Sequence, residues 1–416
     1  MVFIIYKQLS NLFSIFIFLY FCLRFFLSKE NLKSIKEKFI FFDKKKRPEG
    51  KLIWINGVSI GEAKTGLIVA NQILKKLPQS KILFSTSTLS AYNLIAKLDK
   101  RIILIFSPLD ISFIVKRFIK KWKPDLTIFI ESEIWPNIIN EIKRKKLRYV
   151  ILNARMSEKS FDFWRKFIFF SRKIFSKIDL CHAQDVLSKN RFKALGTKKV
   201  RLSGNLKFLS DPLNFDKNEY KKLKKELEKK KIITLFSSHK NEETFLINCS
   251  KSLEKKIKDL FFIIIPRHPK ITKSIQDNLK KNDITFAIRS KEKQSIRNKK
   301  FYIVDSFGEL GLFFKLSHIS VVGGSFVNNG GHNPIETNNF DCALIFGKYM
   351  QNFSEIEKKI LETKSGFRAK NIKDLEEKIL LILRSKKVWA YTIKNFKKMC
   401  AMESKKANLI LEEIYN

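Results

Sequence analysis

Residues 52–77 read LIWINGVSIGEAKTGLIVANQILKKL and contain a strand, a turn and a helix in succession. The run at 52–55 is wholly apolar and has the length of a buried strand. From 67 to 77, apolar residues recur at the spacing of one helix face. A continuous apolar strand followed by an amphipathic helix is typical of a parallel sheet that helices cover on both faces.

The same unit recurs along the chain in two series. In the first half, further strand-length apolar runs lie at 82–85, 102–106, 126–130, 149–152 and 200–202. In the second half they lie at 232–236, 261–265, 285–288, 302–304, 319–322 and 344–346. We therefore predict an α/β protein with two Rossmann-like parallel-sheet domains facing each other across a cleft.

A charged stretch separates the two series. Residues 216–231 read DKNEYKKLKKELEKKK, and Leu223 and Leu227 supply a thin apolar stripe, which predicts a solvated helix at a domain boundary. The predicted organisation is an anchor at 1–30, a first domain at 31–212, a linker at 213–231 and a second domain at 232–416.

The chain is strongly basic, with 83 Lys and Arg, 40 Asp and Glu, and a formal net charge of +43. Such a charge is typical of proteins that bind nucleic acid or an anionic membrane surface. Lys accounts for 67 of these residues and Arg for 16, without Arg clusters. Because base and phosphate recognition favours Arg, we expect an anionic lipid surface as partner and no nucleic acid.

The N-terminus carries a membrane signal. Residues 12–27 read LFSIFIFLYFCLRFFL, and the Lys-rich segment 29–38 follows them. The length is close to that of a bilayer-spanning helix, and the basic flank favours the cytoplasmic side for the rest of the chain. No small-residue cleavage site follows, so a signal peptide is disfavoured. The alternatives left open are a spanning helix, a helix lying in the membrane surface and a buried N-terminal helix.

The five Cys and five His residues show no spacing of metal ligands. The Cys residues are scattered, which predicts free thiols in a reducing compartment. We expect no metal and no cofactor.

Polar residues follow the predicted strands of the first half, where ligands bind in such sheets. Glu62 lies in the turn after the first strand, where it is placed to act as a general base. Ser59 and Glu62 also have the spacing of a capping box, so a structural role stays open. Glu131 and Glu133 follow the strand at 126–130, where the alternative is a pair of solvated charges. Lys207 follows the strand at 200–202.

In the second half, two segments point to a phosphate ligand. Pro266 and Arg267 follow an apolar strand, where a guanidinium can clamp a phosphate, with a capped turn as the alternative. Residues 323–336 read GGSFVNNGGHNPIE, and the four glycines allow the backbone to wrap a ligand. Asn333, Pro334 and Glu336 fit the first positions of a following helix, whose positive end would face an anion. A chain of two such domains with this segment in its second half resembles a GT-B glycosyltransferase that binds a sugar nucleotide.

Several stretches in order along the chain resemble the 3-deoxy-D-manno-octulosonic acid (Kdo) transferases. They are WINGVSIGE (54–62), FIESEIWPN (129–137), ILNARMSEKS (151–160), SGNLKF (203–208), PRHP (266–269), DSFGEL (305–310), VGGSFVNNGGHNPIE (322–336) and FGKYMQNFSEI (346–356). The resemblance implies CMP-Kdo as donor and the lipid A precursor lipid IVA as acceptor. It also implies that the protein is located on the cytoplasmic side of the inner membrane.

The resemblance also implies roles for single residues. Glu62 matches the family's catalytic base, and Glu131 and Lys207 match residues that stabilise the transition state. The segments that match the CMP-binding residues are Pro266 and Arg267, then Phe307, Gly308 and Glu309, then Asn333, Pro334, Ile335 and Glu336. Departures from the family pattern are Asn56 in place of His, Phe307 in place of Met, and Ser317-His318 in place of Ala-Asp.

Two other functions are compatible with the residues alone. One is a membrane-associated GT-B glycosyltransferase that uses a UDP-sugar donor. The other is a basic protein that binds membranes or nucleic acid without catalysis, which explains the charge but not the glycine-rich segment or the polar strand ends.

Overall fold

The computed structural model describes residues 2–40, 45–96, 101–291 and 295–415. The chain divides into two compact units. Unit 1 comprises Met1–Leu209 and Glu403–Asn416, and unit 2 comprises Ser210–Met402.

Unit 1 contains a seven-stranded parallel sheet in the order β3-β2-β1-β4-β5-β6-β7. Its strands are β1 (Leu52–Asn56), β2 (Lys81–Thr86), β3 (Ile102–Phe106), β4 (Leu126–Ile130), β5 (Arg148–Ala154), β6 (Leu180–Ala183) and β7 (Val200–Leu202). Its helices are α1 (Val2–Leu12), α2 (Ser14–Phe26), α3 (Leu32–Lys38), α4 (Ile60–Lys76), α5 (Leu89–Ile95), α6 (Ser112–Trp122), α7 (Pro136–Arg144), α8 (Glu158–Lys166), α9 (Ile168–Phe175) and α10 (Val186–Ala194).

Unit 2 contains a second seven-stranded parallel sheet in the order β10-β11-β9-β8-β12-β13-β14. Its strands are β8 (Lys231–Ser238), β9 (Leu260–Pro266), β10 (Phe286–Ile288), β11 (Phe301–Ile303), β12 (Ile319–Val322), β13 (Ala343–Phe346) and β14 (Phe367–Arg368). Its helices are α11 (Lys217–Glu226), α12 (Glu243–Leu253), α13 (Thr272–Lys281), α14 (Leu310–Leu316), α15 (Ser354–Glu362), α16 (Ile372–Arg384) and the first part of α17 (Lys386–Tyr415).

Strand β1 shows why both faces of the unit 1 sheet are covered. All five of its residues are buried. Leu52 and Trp54 belong to one hydrophobic core cluster, whereas Ile53 and Ile55 belong to another. Because side chains alternate along a strand, the two clusters lie on opposite faces of the sheet. The wholly apolar run of the sequence therefore results from burial on both sides.

The structure divides the chain differently from the predicted boundaries at two places. The predicted linker contains α11, which belongs to unit 2 and buries Leu223 and Leu227 to 3% exposure each. The last residues of α17, predicted in the second domain, belong to unit 1. They do so because Ala407, Ile410 and Ile414 form an apolar stripe that joins a unit 1 core cluster.

The predicted single anchor helix is two helices, α1 and α2, with a bend of 47° between them. Among the described residues, no one helix has the length and apolarity to cross a membrane, although this bent pair together does. Neither helix has a buried residue. Tyr6 Oη donates to Asp110 Oδ2 at 2.9 Å and Asn137 Nδ2 donates to Ser10 Oγ at 3.1 Å, so α1 is attached to unit 1.

Candidate functional site

In each sheet the strand order reverses beside the first strand of the unit, and ligands of open α/β sheets bind at the carboxyl ends of the strands at such a point. In unit 1 this point lies between the neighbouring strands β1 and β4. Glu62 follows β1, and Glu131 and Glu133 follow β4. The fold therefore brings these three carboxylates of distant sequence positions to one edge of the sheet.

Glu62 lies in the first turn of α4 and is half-buried. Its Oε2 accepts a hydrogen bond from the Val58 N–H at 2.8 Å, and its Oε1 accepts one from Ser59 Oγ at 3.0 Å. Ser59 in turn caps α4 by accepting from the Glu62 N–H at 3.3 Å. The structural role that the sequence left open is thus present, and these bonds also fix the direction of the carboxylate.

The pKa of Glu62 is raised above its ordinary value. Burial is the main cause, and the negative charge of Glu131 adds to it. The hydrogen bonds from Val58 and Ser59 act in the opposite direction without cancelling the effect. A carboxylate with a raised pKa is a stronger base once it is ionised, which suits proton abstraction near neutral pH.

Glu133 lies with Glu62 and Glu131 at this edge of the unit 1 sheet, which we call the acidic edge. The sequence assigned no role to Glu133. Burial, followed by the charges of Glu62 and Glu131, raises the pKa of Glu133 to about 7. The indole Nε1 of Trp135 donates to Glu133 Oε2 at 2.6 Å, and Tyr149 Oη donates to the Glu133 carbonyl at 3.3 Å. The indole therefore holds a carboxyl group that exchanges its proton near neutrality.

Two strand ends at this edge have a backbone conformation that is rare outside glycine. Glu131 after β4 has φ +64°, and Asn153 at the end of the neighbouring β5 has φ +53°. The Glu131 N–H still donates to the Leu152 carbonyl at 2.9 Å, so the turn away from the sheet begins at that residue. Such conformations cost about 1–3 kcal/mol each and are concentrated at functional sites.

Lys207 lies in the short 3-10 turn Leu206–Leu209, after β7. Asn153 Oδ1 accepts from the Leu206 N–H at 3.1 Å, which ties this turn to the end of β5. Leu206 also shares a core cluster with Ala63 of α4, the residue after Glu62. Lys207 is thus carried by a segment that packs against the helix of the predicted base.

Asn56, where the family usually has His, is fully buried at the end of β1. Its Oδ1 accepts from Ser85 Oγ at 2.7 Å and from Ser107 Oγ at 2.6 Å. Ser85 Oγ also accepts from the Trp54 indole at 2.7 Å. Asn56 therefore connects the ends of β1, β2 and β3 below the acidic edge, as a supporting residue.

In unit 2 the strand order reverses between β8 and β12, and the glycine-rich segment 323–331 follows β12. A buried carboxylate holds this segment in place. Glu242, at 1% exposure, accepts hydrogen bonds from the N–H groups of His239 (2.9 Å), Gly324 (2.6 Å) and Phe326 (3.0 Å). The N–H groups of Gly324 and Phe326, in the segment predicted to wrap a ligand, are therefore used within the protein.

The glycines allow close packing of this segment. A Cβ at Gly323 would overlap the carbonyl of Ser237 in β8, and one at Gly331 would overlap the sulfur of Met350. Gly324, Gly330 and Gly331 have φ values of +68°, +81° and +73°, which favour glycine. The segment is thus bound closely to its own sheet.

The predicted helix after this segment is only a four-residue 3-10 turn, Pro334–Thr337. Asn333 caps it, since its Oδ1 accepts from the Ile335 N–H at 3.2 Å, and Pro334 is its first residue. The chain turns away after Thr337 toward β13, so no aligned row of peptide dipoles builds up. The expectation of a positive helix end for an anion was therefore wrong.

Pro266 ends β9, the neighbour of β8, and Arg267 follows it. The Arg267 N–H donates to the Ser238 carbonyl at 2.9 Å, which fixes its backbone beside the end of β8. Its side chain is exposed. A cationic group thus stands at the same edge as the glycine-rich segment.

Phe307, Gly308 and Glu309 lie between β11 and α14. Phe307 is 76% exposed, and a Cβ on Gly308 would meet no atom within 4 Å, so this turn is open to solvent. Arg289 Nη2 donates to Glu309 Oε1 at 2.7 Å, and Arg289 Nη1 donates to Glu219 Oε1 at 2.8 Å. Burial would raise the pKa of Glu309, but the bonds from Arg289 and Ser306 outweigh it and lower the pKa.

Two histidines also lie at this edge, although the sequence gave them no partner. His239 follows β8 and His332 directly follows the glycine-rich segment, and their Nε2 atoms are 2.8 Å apart. Ninety-three positions separate them. Only the adjacency of β8 and β12 brings them together, so no local spacing in the sequence could have revealed the pair.

Within the part of the chain that the structure describes, no group of three or more His, Cys, Asp and Glu side chains is arranged to hold a metal ion. Unit 1 offers carboxylates of raised pKa, and unit 2 offers a guanidinium, imidazoles and a closely packed loop.

Comparison with known proteins gives a consistent result. A family model described as 3-Deoxy-D-manno-octulosonic-acid transferase (kdotransferase) matches residues 33–210. The 3-deoxy-D-manno-octulosonic acid transferase of Rickettsia bellii is 35% identical over 372 residues, which cover 89% of this chain and 88% of that protein. The enzyme of the same name from Haemophilus influenzae is 31% identical over 359 residues, or 85% and 84% of the two chains.

Solved structures confirm the fold. A crystal structure of a glycosyltransferase from Rickettsia africae has a TM-score of 0.60 at 14% identity, covering 88% of this chain and 100% of that chain. A UDP-N-acetylglucosamine 2-epimerase from Listeria monocytogenes, described as putative, has a TM-score of 0.58 at 11% identity and covers 88% and 96%. At these identities the likeness concerns architecture alone, and it confirms the predicted GT-B type with two Rossmann-like domains.

Proposed function

Because the chain belongs to the 3-deoxy-D-manno-octulosonic acid transferase family, we propose that it transfers Kdo from CMP-Kdo to lipid IVA in lipopolysaccharide synthesis. The protein is a glycosyltransferase, and the proposal concerns its two substrates and its base. The observation that carries it is the position of Glu62, which has a raised pKa and lies beside Glu131 where the strand order of unit 1 reverses.

Glu62 is proposed as the general base on the acceptor hydroxyl. The hydroxyl oxygen attacks the anomeric carbon of Kdo, its proton passes to the Glu62 carboxylate, and the bond between that carbon and the phosphate of CMP breaks. The hydrogen bonds from Val58 and Ser59 occupy part of the acceptor capacity of the two carboxylate oxygens. Capping α4 and accepting a proton are therefore compatible, and the cap orients the base.

Glu131 and Lys207 are proposed to stabilise the transition state. The negative charge of Glu131 faces a carbon that gains positive character as CMP departs. Lys207 supplies a cation to the same unit, on a segment that packs against α4. The positive φ of Glu131, +64°, turns the chain away from the sheet directly after β4 and so places this carboxylate at the strand end.

Unit 2 is proposed to bind the donor through Pro266 and Arg267, through Phe307, Gly308 and Glu309, and through Asn333, Pro334, Ile335 and Glu336. Arg267 is exposed at the end of β9 and can pair with the phosphate. Phe307 is exposed beside it in the sheet order and can cover the nucleotide base. Glu309 is held by Arg289, so its backbone rather than its carboxylate is the group offered to CMP.

The N-terminal helices are proposed to attach the protein to the cytoplasmic side of the inner membrane, against an anionic lipid surface. Phe16 is 65% and Phe26 80% exposed on α2, and Phe169 on α9 is 80% exposed. Large exposed apolar side chains on a strongly basic protein are typical of interfacial attachment. Replacing Phe16 and Phe26 by Ser should weaken sedimentation with phosphatidylglycerol vesicles, whereas Tyr391→Ser in unit 2, a ring 53% exposed, should not.

The substrates are tested with the purified full chain, lipid IVA and either CMP-Kdo or a UDP-sugar. We expect a product heavier than lipid IVA by one or more Kdo residues with CMP-Kdo, and no product with the UDP-sugar. The mass spectrum also gives the number of Kdo residues added. Transfer from the UDP-sugar would favour the alternative glycosyltransferase, and strong sequence-independent DNA binding without transfer would favour the non-catalytic protein.

A further inference from the structure

His239 and His332 form a hydrogen-bonded pair at the point where the strand order of unit 2 reverses. Their Nε2 atoms are 2.8 Å apart, and the two rings are nearly parallel, with an interplanar angle of 7° and centroids 5.1 Å apart. Both side chains are half-buried. One follows β8 and the other follows β12, so the pair bridges the two strands between which a ligand is expected.

A hydrogen bond between two imidazole nitrogens limits the charge of the pair. One Nε2 must carry a proton and the other must offer a lone pair. The pair is therefore neutral or carries a single positive charge, and a second added proton would break the bond. Such a pair can gain or lose one proton without moving either ring.

Charged groups of both signs surround the pair. Burial, followed by the charges of His268 and Arg267, lowers the pKa of His239. Glu242 lies below, but its oxygens accept from backbone N–H groups. Further charged groups on the adjoining segments are Lys240, Glu243, Glu336 and Lys348. Without a ligand, burial and these cations favour the neutral form of His239, and an anion bound there would favour the charged pair.

The glycine-rich segment is shaped around the two rings. A Cβ at Gly324 would lie 3.2 Å from Cδ2 of His332 and 3.3 Å from Cδ2 of His239. Gly324 also has φ +68°, and its N–H is held by Glu242. The segment thus brings both rings together at the strand ends, which is a built arrangement rather than a chance contact between surface side chains.

We propose that the His239–His332 pair is the proton-accepting part of the phosphate site for CMP, a proposal that rests on the proposed function. In the donor, the phosphate is a diester with one negative charge. When the bond to the anomeric carbon breaks, its electron pair stays on the phosphate oxygen, and CMP becomes a monoester with a second charge. The pair takes one proton from solvent at that stage and balances the new charge.

The proposal predicts that CMP binding is linked to proton uptake. At pH 8, CMP in water is almost fully a dianion, since its second phosphate pKa is about 6. Binding raises the pKa of the pair, so the complex takes up as much as about one proton, and affinity falls as the pH rises through the pKa in the complex. Cytidine, which lacks the phosphate, is expected to bind without proton uptake.

The measurement is calorimetry of CMP binding to the full chain at pH 8 in two buffers that differ in ionisation enthalpy. His332→Gln and His239→Gln are each expected to abolish the proton uptake and to weaken CMP about 10-fold, with cytidine affinity unchanged. Wild-type CMP binding without proton uptake, or equal loss of CMP and cytidine affinity in both variants, would overturn the role of the pair. Failure of the wild-type chain to bind CMP at all would instead contradict the proposed function.

Discussion

The two sheet edges at which the strand order reverses have the same architecture but carry side chains of different charge. Both lie beside the first strand of a seven-stranded parallel sheet, β1 in unit 1 and β8 in unit 2. The first carries Glu62, Glu131 and Glu133, and the second carries Arg267 and a histidine pair. One architecture therefore supports opposite electrostatic environments, because the loops after the strands carry the chemistry and the strands themselves are almost wholly apolar.

The difference extends to how the two edges are held. In unit 1 a carboxylate holds local backbone, as Glu62 does for Val58, and burial, with a further contribution from neighbouring carboxylates, raises the pKa values of Glu62 and Glu133. In unit 2 the carboxylate of Glu242 accepts hydrogen bonds from the backbone, and the exposed Arg267 provides a cation at the edge. An edge of raised pKa suits proton transfer, and a cationic edge suits an anionic leaving group.

The largest effect is expected from Glu62→Gln. The amide keeps the shape and can accept from Val58, but it cannot take a proton, so transfer should fall by about 10²-fold or more. Because CMP is assigned to unit 2, CMP affinity should change by less than about twofold. Steady-state assays measure the loss of transfer, and calorimetry measures the affinity for CMP.

Glu412→Gln is the matched control for this variant, since Glu412 is an exposed unit 1 residue paired with Lys76 at 3.0 Å. It should leave transfer unchanged, because exposed ion pairs contribute little. Full transfer by Glu62→Gln would remove Glu62 from the base role and leave only its cap on α4. A parallel loss of CMP affinity would show that the division between the two edges is wrong.

A second prediction concerns how closely the cationic edge is packed. Gly324→Ala and Gly308→Ala both place a Cβ at positive φ, +68° and +86°. At Gly308 the methyl group meets nothing within 4 Å, whereas at Gly324 it meets both imidazole rings. We expect Gly308→Ala to lower the free energy of unfolding by about 1–2 kcal/mol through strain alone, and Gly324→Ala by about 2–4 kcal/mol.

Thermal unfolding of both variants measures this difference. A larger decrease in Tm for Gly324→Ala confirms that the rings occupy the space that the glycine leaves. Equal decreases would mean that the two rings move aside freely. The claim that Gly324 fixes the position of the histidine pair would then be wrong.

Much of the fold was predictable because its strands are buried on both faces. Runs such as 126–130 and 319–322 stand out as continuous apolar segments, and both are strands in the structure. Two strands were missed for physical reasons. Strand β6 has four residues with His182 among them, and β14 has two residues, too few for any periodicity.

The site residues were predictable only where they directly follow a single strand in the sequence. Glu62 and Glu131 follow apolar runs directly, so their place at a sheet edge could be derived from position alone. The histidine pair depends on β8 lying next to β12, and the raised pKa of Glu133 depends on burial beside Glu62. Sheet order and burial are properties of the folded chain, which single-sequence patterns do not contain.

The smallest predicted effect tests whether the acidic edge destabilises its own unit. The pKa of Glu133 is about 7 in the folded protein, against an ordinary value of 4.5. Between these values the folded state binds the proton more tightly than the unfolded chain does, so stability decreases as the pH rises. Glu133→Gln cannot ionise and still accepts from Trp135, so it should gain about 1–3 kcal/mol relative to wild type between pH 5 and pH 8.

Urea unfolding followed by tryptophan fluorescence at the two pH values measures this gain, because Trp54, Trp122, Trp135 and Trp164 all lie in unit 1. Glu412→Gln again serves as the control, and its stability should follow that of wild type at both pH values. Parallel pH profiles for Glu133→Gln and wild type would mean that Glu133 is ionised throughout and that the three carboxylates do not repel one another appreciably. A gain confined to the higher pH would show that unit 1 tolerates a stability cost to keep these acidic groups together, as expected of an edge arranged for proton transfer rather than for stability.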